Sequence, residues 1–441
     1  MWYKYLGQVN NREGSIIMNI TIISLGTRGD VQPYVALGLG LKKAGHNVNL
    51  ATHGEFSSFV ADYGLDFSPV EGNIQALLDG DAGKGMLGSG NNKFNFFRHF
   101  AVLAKPLMKN IMVDSWKACQ GADLILNSLF GLFAAKSIAE RLGIPYYPAM
   151  IWPETPTKVF AHNLFPPEIR LGPIYNRLTY SIVERTFWYL FRNTFNDIRK
   201  EVLDLPPIKK NPFRQMRKER VPVLYGYSAS ILPRPKDWKD WIHVTGYWFL
   251  DSHNVWQPPE DLVDFLKSGS KPVYIGFGSM SNRDPEKMTG TIIKALQIAK
   301  QRGIIISGWG GIVKSSLPDN VYHIDSIPHD WLFPQTSVVV HHGGAGTIGA
   351  GLRAGCPTVV IPFFADQPFW GRCVYEAGVG PKPIPQHKLN PENLAHAISA
   401  AVCDKTMKQK AMAIGKRIRS ENGVERAAQF VHRFVQEKKT E

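Results

Sequence analysis

Short β-branched runs alternate with longer helix-compatible segments along nearly the whole chain, and this restricts it to an α/β architecture built on parallel sheets. The clearest unit opens at residues 19–25 (NITIISL), turns through Gly26-Thr27-Arg28-Gly29-Asp30, and predicts a helix over 32–44. Pro33 stands in that helix's first turn and Gly45 stops it. A second strand follows at 47–52. Such a βαβ unit requires parallel strands and a right-handed crossover. Further strands are predicted at 123–127, 144–150 and 221–227, and in the second half at 272–277, 304–307, 321–324, 338–340 and 358–361. Between the halves, residues 232–259 are rich in Pro and Trp and read as linker and domain seam.

The predicted fold is therefore two doubly wound, Rossmann-like domains facing one another across a cleft. The expected boundaries are an extension at 1–17, an amino-terminal domain at 18–238, a carboxyl-terminal domain at 239–420, and a final helix at 421–441 that packs back on the first domain. No apolar run approaches the roughly 18 residues of a membrane span, and residues 1–15 lack the apolar core of a secretory leader. Cys119, Cys356, Cys373 and Cys403 lie far apart, with neither zinc-ligand spacing nor a disulfide pattern, which points to free thiols in a reducing, cytoplasmic setting.

In doubly wound sheets ligands bind beyond the carboxyl ends of the strands, so post-strand segments carry the functional signal. The strongest is His341-His342-Gly343-Gly344-Ala345-Gly346-Thr347. Small residues let the backbone approach an anion, and a helix N-terminus supplies amide donors and partial positive charge. The same segment also reads as a tight strand–helix turn. Asp366-Gln367, after the strand at 358–361, offers acceptors and donors suited to sugar hydroxyls, although Asp366 equally suits a helix N-cap. Ser279 lies in a third turn of small residues, and Trp309 stands among glycines where an indole could stack on a base or fill a seam. Asp30 either caps its helix or faces the cleft. A nicotinamide-binding reading is poor: the first turn has only GxxG, and the second strand ends Ala51-Thr52-His53 without the ribose-holding acid.

Together, GTRGDVQPYVALGLGLKKAGH, VTGYWFL, GFGSM and the run HHGGAGTIGAGLRAGCPTVVIPFFADQPFWGRCVYEAGVGPKPIP resemble the family-one, inverting GT-B glycosyltransferases. Within them, PFFADQPFWG, GVGPKPIP and YNRLTYSIVERTFWYLFRN are most similar to the sterol 3-beta-glucosyltransferases, beside bacterial antibiotic-glycosylating relatives. The resemblance implies Asp30 as catalytic base, His342, Gly344, Gly346 and Thr347 as the diphosphate cradle, Asp366 and Gln367 as the sugar-holding pair, and Ser279 and Trp309 near the nucleotide. It also implies UDP-glucose as co-substrate, a sterol or similar lipophilic acceptor, and no metal. Ala350 stands where many plant relatives carry a ribose-holding glutamate, so no ribose contact is assigned. Asp79-Gly80-Asp81 spells the DxD of metal-dependent sugar transferases but falls in a Gly-rich loop at 80–92, where it reads as coincidence.

Charge enters last. The chain carries 51 Lys and Arg against 37 Asp and Glu. Between 192 and 220, nine basic residues face four acidic ones, beside aromatics at 175, 180, 187–189, 191 and 195. Such a stretch suits peripheral contact with anionic lipid, or equally a solvated helix with its aromatics in the core. No RNA-binding signature accompanies it, so nucleic acid is not expected. The alternatives to a sterol transferase are a transferase acting on a polyketide, macrolide or other natural product, and a sugar-nucleotide epimerase of the same fold.

Overall fold

The computed structural model describes residues 17–72, 93–251, 256–278, 285–306 and 317–440. Ser279, Trp309, Asp79, Asp81, the loop at 80–92 and positions 1–16 lie outside the described residues.

Seven strands form the first sheet: β1 (Asn19–Ile23), β2 (Asn47–His53), β3 (Asp66–Val70), β4 (Leu124–Asn127), β5 (Tyr146–Met150), β6 (Val223–Tyr225) and β7 (Ile242–Val244). Their order is β3-β2-β1-β4-β5-β6-β7, with every pair parallel. The second sheet holds β8 (Val273–Gly276), β9 (Gly303–Ile306), β10 (Val321–Ile324), β11 (Val338–His341) and β12 (Thr358–Val360), in the order β10-β9-β8-β11-β12 and again parallel. Helices cover both faces, and the central strands are enclosed: β4 and β8 are buried at every position. Strand order reverses between β1 and β4 in one sheet and between β8 and β11 in the other. These two switch points are where crevices open in such folds.

Two strands went unseen in the sequence. Asp66–Val70 is an edge strand interrupted by Pro69, and Ile242–Val244 is a three-residue edge strand inside the segment read as linker. The first sheet therefore runs past position 238, through β7. Edge strands can be this short because they pair on one side only. The first helix also starts earlier than expected, at Arg28, because Thr27 serves as its N-cap.

The interior is continuous between the two halves. One hydrophobic cluster contains Tyr227, Trp238 and Tyr247 as well as Ile348, Leu352 and Trp370. Polar ties reinforce it: Ser228 Oγ donates to Glu421 Oε1 at 2.5 Å, and Arg170 pairs with Glu376. The final helix, Gly423–Thr440, lies on the first domain with Ala427, Ala428 and Val431 in the core beneath β1. Gly40 makes room for it, since a Cβ there would stand 2.3 Å from Val424 Cγ1. Among the described residues, no helix is long and apolar enough to cross a membrane.

Candidate active site

Asp30 stands at the β1/β4 switch point. β1 ends at Ile23, and the chain bends through Gly26 with φ of +135° before the helix begins. Ser24 Oγ donates to the Asp30 carbonyl at 2.7 Å, tying the helix start to the strand end. Thr27 then donates twice to the Asp30 carboxylate, from its N–H (2.8 Å) and its hydroxyl (3.0 Å). Both bonds fall on Oδ2. Burial at the cleft wall pushes the carboxyl up to about 6, against the opposing pull of those Thr27 bonds. Asp30 is thus both a helix-capping acid and a cleft residue.

Across the cleft, β12 leads into Phe363-Phe364-Ala365-Asp366, where Ala365 takes a left-handed φ of 56°. A non-glycine residue so placed stores of order 1 kcal/mol of strain, a frequent mark of functional loops. Burial pushes Asp366 up to about 7, and the charges of Asp30 and Glu154 push the same way. Gln367 is buried, and its Oε1 accepts from the amides of Phe363 (2.8 Å) and Phe364 (3.2 Å), so its carbonyl clamps the loop that presents Asp366.

A carboxyl with a raised pKa binds its proton more tightly in the folded chain, so folding carries no penalty below about pH 4 and the full penalty above about pH 7. Asp366→Asn is expected to stabilise the fold at pH 8, by at most about 4 kcal/mol and so with a raised Tm, and to leave stability unchanged near pH 4. Equal effects at both pH values in thermal melts would contradict this.

At the second switch point, β11 ends in His341 and the helix Ala345–Arg353 starts behind Gly344 as its N-cap. Gly343 has φ of +97°, and its N–H donates to His341 Nδ1 at 3.0 Å. A Cβ on Gly344 would stand 2.6 Å from His342 Nε2, so the glycine lets the imidazole lie over the helix N-terminus. Gly346 has open space where its Cβ would be. Burial pushes His342 down to about 4, aided by His329. The ring is therefore neutral near pH 7, with Nδ1 buried and unpaired. The set can hold an anion by amides, a helix dipole and a neutral imidazole.

These groups line one cleft of about 2300 Å³, which also takes in Thr347. On the amino-terminal side it widens into an apolar chamber walled by Met108, Phe133, Val183, Phe187, Phe191 and Phe213. Phe133 and Phe187 stack with centroids 5.4 Å apart. Of the aromatics expected at a lipid-facing surface, Tyr180, Trp188, Phe191 and Phe195 are instead buried. Arg217 likewise pairs bidentately with Glu184 at the chamber wall, at 2.5 and 2.8 Å. On the carboxyl-terminal side, Trp256, Asp325 and Arg353 join the lining; no motif around them signalled this. Ala350 lines the cleft too, as the bare wall its side chain implies. Among the described residues, no group of three His, Cys, Asp or Glu could hold a metal.

Comparison with known proteins agrees with this geometry. Residues 20–161 match the family described as glycosyltransferase family 28 N-terminal domain, and residues 305–431 match erythromycin biosynthesis protein CIII-like, C-terminal domain. A sterol 3-beta-glucosyltransferase of Aspergillus oryzae is 39% identical over 98% of this chain and 31% of its own length. One from Arabidopsis thaliana is 41% identical over 92% of this chain and 64% of its own. The chain thus spans about a third of the fungal relative and under two thirds of the plant one. Among solved structures, the glycotransferase of kitacinnamycin superposes with a TM-score of 0.68 at 19% identity, covering 95% of this chain and 98% of that one. The calicheamicin glycosyltransferase CalG4 gives 0.65 at 17%, with the same coverage. At such identities the likeness is one of fold, and the expected GT-B architecture of two facing parallel-sheet domains is the observed one.

Proposed function

The chain belongs to the GT-B glycosyltransferases, with sterol 3-beta-glucosyltransferases among its relatives, and from that premise we propose that it transfers glucose from UDP-glucose to the hydroxyl of a sterol or similarly lipophilic alcohol. The observation that carries this reading is the placement of one near-neutral carboxyl, Asp30, in the same cleft as a deep apolar chamber and opposite an anion-ready helix N-terminus. The acceptor's skeleton lies in the chamber and its hydroxyl reaches Asp30. As the acceptor oxygen bonds to the anomeric carbon, its proton passes to Asp30 and the bond from that carbon to the diphosphate oxygen breaks on the opposite face. UDP leaves into the cradle of Gly344, Gly346 and Thr347, with His342 donating one N–H. Asp366 accepts from the sugar's hydroxyls. The test is incubation with labelled UDP-glucose and a panel of sterol, flavonoid and macrolide, followed by mass analysis. Glucosylated sterol is expected; a macrolide product alone would move the assignment to the natural-product enzymes.

Because Asp30 must be ionised to act, kcat/KM is expected to fall about tenfold per pH unit below about 6, and more steeply if Asp366 must also be charged. A pH–rate profile that stays flat down to pH 4.5 would contradict it. The leaving group is met by amides and an imidazole, so activity should survive EDTA undiminished. Complete loss in EDTA with recovery in manganese would instead favour the Asp79/Asp81 pair.

Peripheral membrane contact belongs to the same proposal, on a revised surface. The helix Gly172–Leu203 lines the chamber with Val183, Phe187 and Phe191, while its outer face exposes Ile174 (86%), Leu178, Ile182 and Tyr189 (72%) beside Arg185 and Arg192. Apolar residues ringed by arginine suit the interface of an anionic bilayer. Lys209, Lys210, Arg214 and Lys218 add charge nearby in sequence. Serine at both Ile174 and Leu178 is expected to weaken binding to anionic vesicles and to slow transfer to vesicle-embedded sterol, with turnover of a water-soluble acceptor unchanged. Equal loss on both acceptors would assign the face to folding.

A further inference from the structure

β5 ends at Met150, and the chain leaves the sheet through Trp152 and Glu154 into the cleft. The root of this loop is fixed from β6: Tyr225 Oη accepts from the backbone N–H of Glu154 (3.0 Å) and of Thr155 (2.8 Å). Three side chains then converge on the Glu154 carboxylate. Trp152 Nε1–H donates to Oε1 at 2.7 Å, the Asn163 amide donates to Oε1 at 3.2 Å, and His162 Nε2 lies 2.9 Å from Oε2. The Leu164 N–H donates to His162 Nδ1 at 3.2 Å, which makes Nδ1 an acceptor and puts the ring proton on Nε2, facing Glu154. His162 therefore orients the carboxylate and offers no base of its own.

Two acceptor positions remain. A carboxylate has roughly four lone-pair sites, and the donors above take three of Glu154's. Asn163 must turn its NH₂ to Glu154, which leaves its Oδ1 as a buried acceptor without a partner in a residue only 4% exposed. Buried acceptors left unpaired are costly and rare. Glu154, His162 and Asn163 all line the cleft that holds Asp30 and Asp366. A sterol brings a single hydroxyl, which Asp30 engages, so it cannot satisfy these positions. A hexose brings several. The Glu154 charge also helps push up the Asp366 pKa, as that of Asp30 does, so the three carboxylates face the same part of the cleft.

We propose that Glu154 and Asn163, oriented by Trp152 and His162, form a second hydroxyl-binding subsite that grips the donor sugar from the amino-terminal domain, opposite Asp366. This rests on the reading that Asp366 faces the sugar. Donor choice is then shared between domains, and a sugar lacking the relevant hydroxyl is rejected because the acceptors stay unpaired.

The test is calorimetric titration of wild type, Glu154→Gln, Asn163→Ala and Asp366→Ala with UDP, UDP-glucose and the 4-deoxy and 6-deoxy analogues of UDP-glucose, each variant being checked for a cooperative melt. Glu154→Gln and Asn163→Ala are expected to weaken UDP-glucose binding by about tenfold with UDP affinity unchanged, and the loss should vanish with at least one deoxy donor. An equal loss for UDP and UDP-glucose, or a loss that persists with every deoxy donor, overturns the subsite. If Asp366→Ala weakens UDP-glucose selectively while neither loop variant does, the sugar reading stands and this inference alone fails. If Asp366→Ala has no selective effect, both fail. Should Glu154→Gln not fold, Asn163→Ala decides alone.

Discussion

Asp30→Asn is expected to lower kcat for sugar transfer by about 10²–10⁴-fold while UDP affinity stays within about twofold. The amide nearly matches the carboxylate in shape, and its oxygen can still accept the two Thr27 hydrogen bonds that Oδ2 receives at 2.8 and 3.0 Å. What it cannot do is take a proton. The helix Arg28–Lys43 and the nucleotide side of the cleft are untouched by the change, so binding of UDP serves as the internal control. Transfer within about threefold of wild type, under 1 kcal/mol in barrier, would remove Asp30 from the base role.

Gly26→Ala should come second, at about 100-fold in kcat. Its φ of +135° lies where L-residues are strained, and its Cβ would stand 2.4 Å from Asp30 Oδ2 and 2.6 Å from Cγ. Either the turn or the carboxylate must move, and a displacement of about 1 Å at a reacting group can cost 10² in rate. Gly29→Ala is the matched control: it is helical, the nearest atom to its Cβ is Thr27 Oγ1 at 3.8 Å, and alanine favours the helix. It should stay within about twofold of wild type in both activity and Tm. A Gly26→Ala enzyme with full activity would mean that Asp30's position is not critical.

What the sequence made legible followed from one rule, that function gathers after parallel strands. Asp30, His342 and Asp366 each follow a short β-branched run with glycine or proline beside it, and all three open on one cleft. Glu154 also follows a predicted strand, 144–150, and was missed all the same because the groups that converge on it are set by tertiary packing. Glu154, His162 and Asn163 share no helical or strand period, and the group that roots their loop, Tyr225, lies about 70 residues away. Convergence through tertiary packing leaves no local trace. Ile242–Val244 was missed because its flanking Pro and Trp residues outweigh three strand-forming positions, and pairing with β6 alone identifies it. The helix Gly172–Leu203 misled in a third way: both of its faces are apolar, so periodicity did not separate the chamber wall from the outward stripe of Ile174, Leu178 and Ile182.

The proposed direct displacement on the anomeric carbon, by a sterol hydroxyl deprotonated by Asp30, requires inversion at that carbon. Proton NMR of the product formed from UDP-α-glucose and a sterol reads that configuration, with wild type and Asp30→Asn run side by side. A β-linked glucoside is expected from wild type and almost none from the variant. An α-linked product, or equal yields from the two proteins, would contradict it.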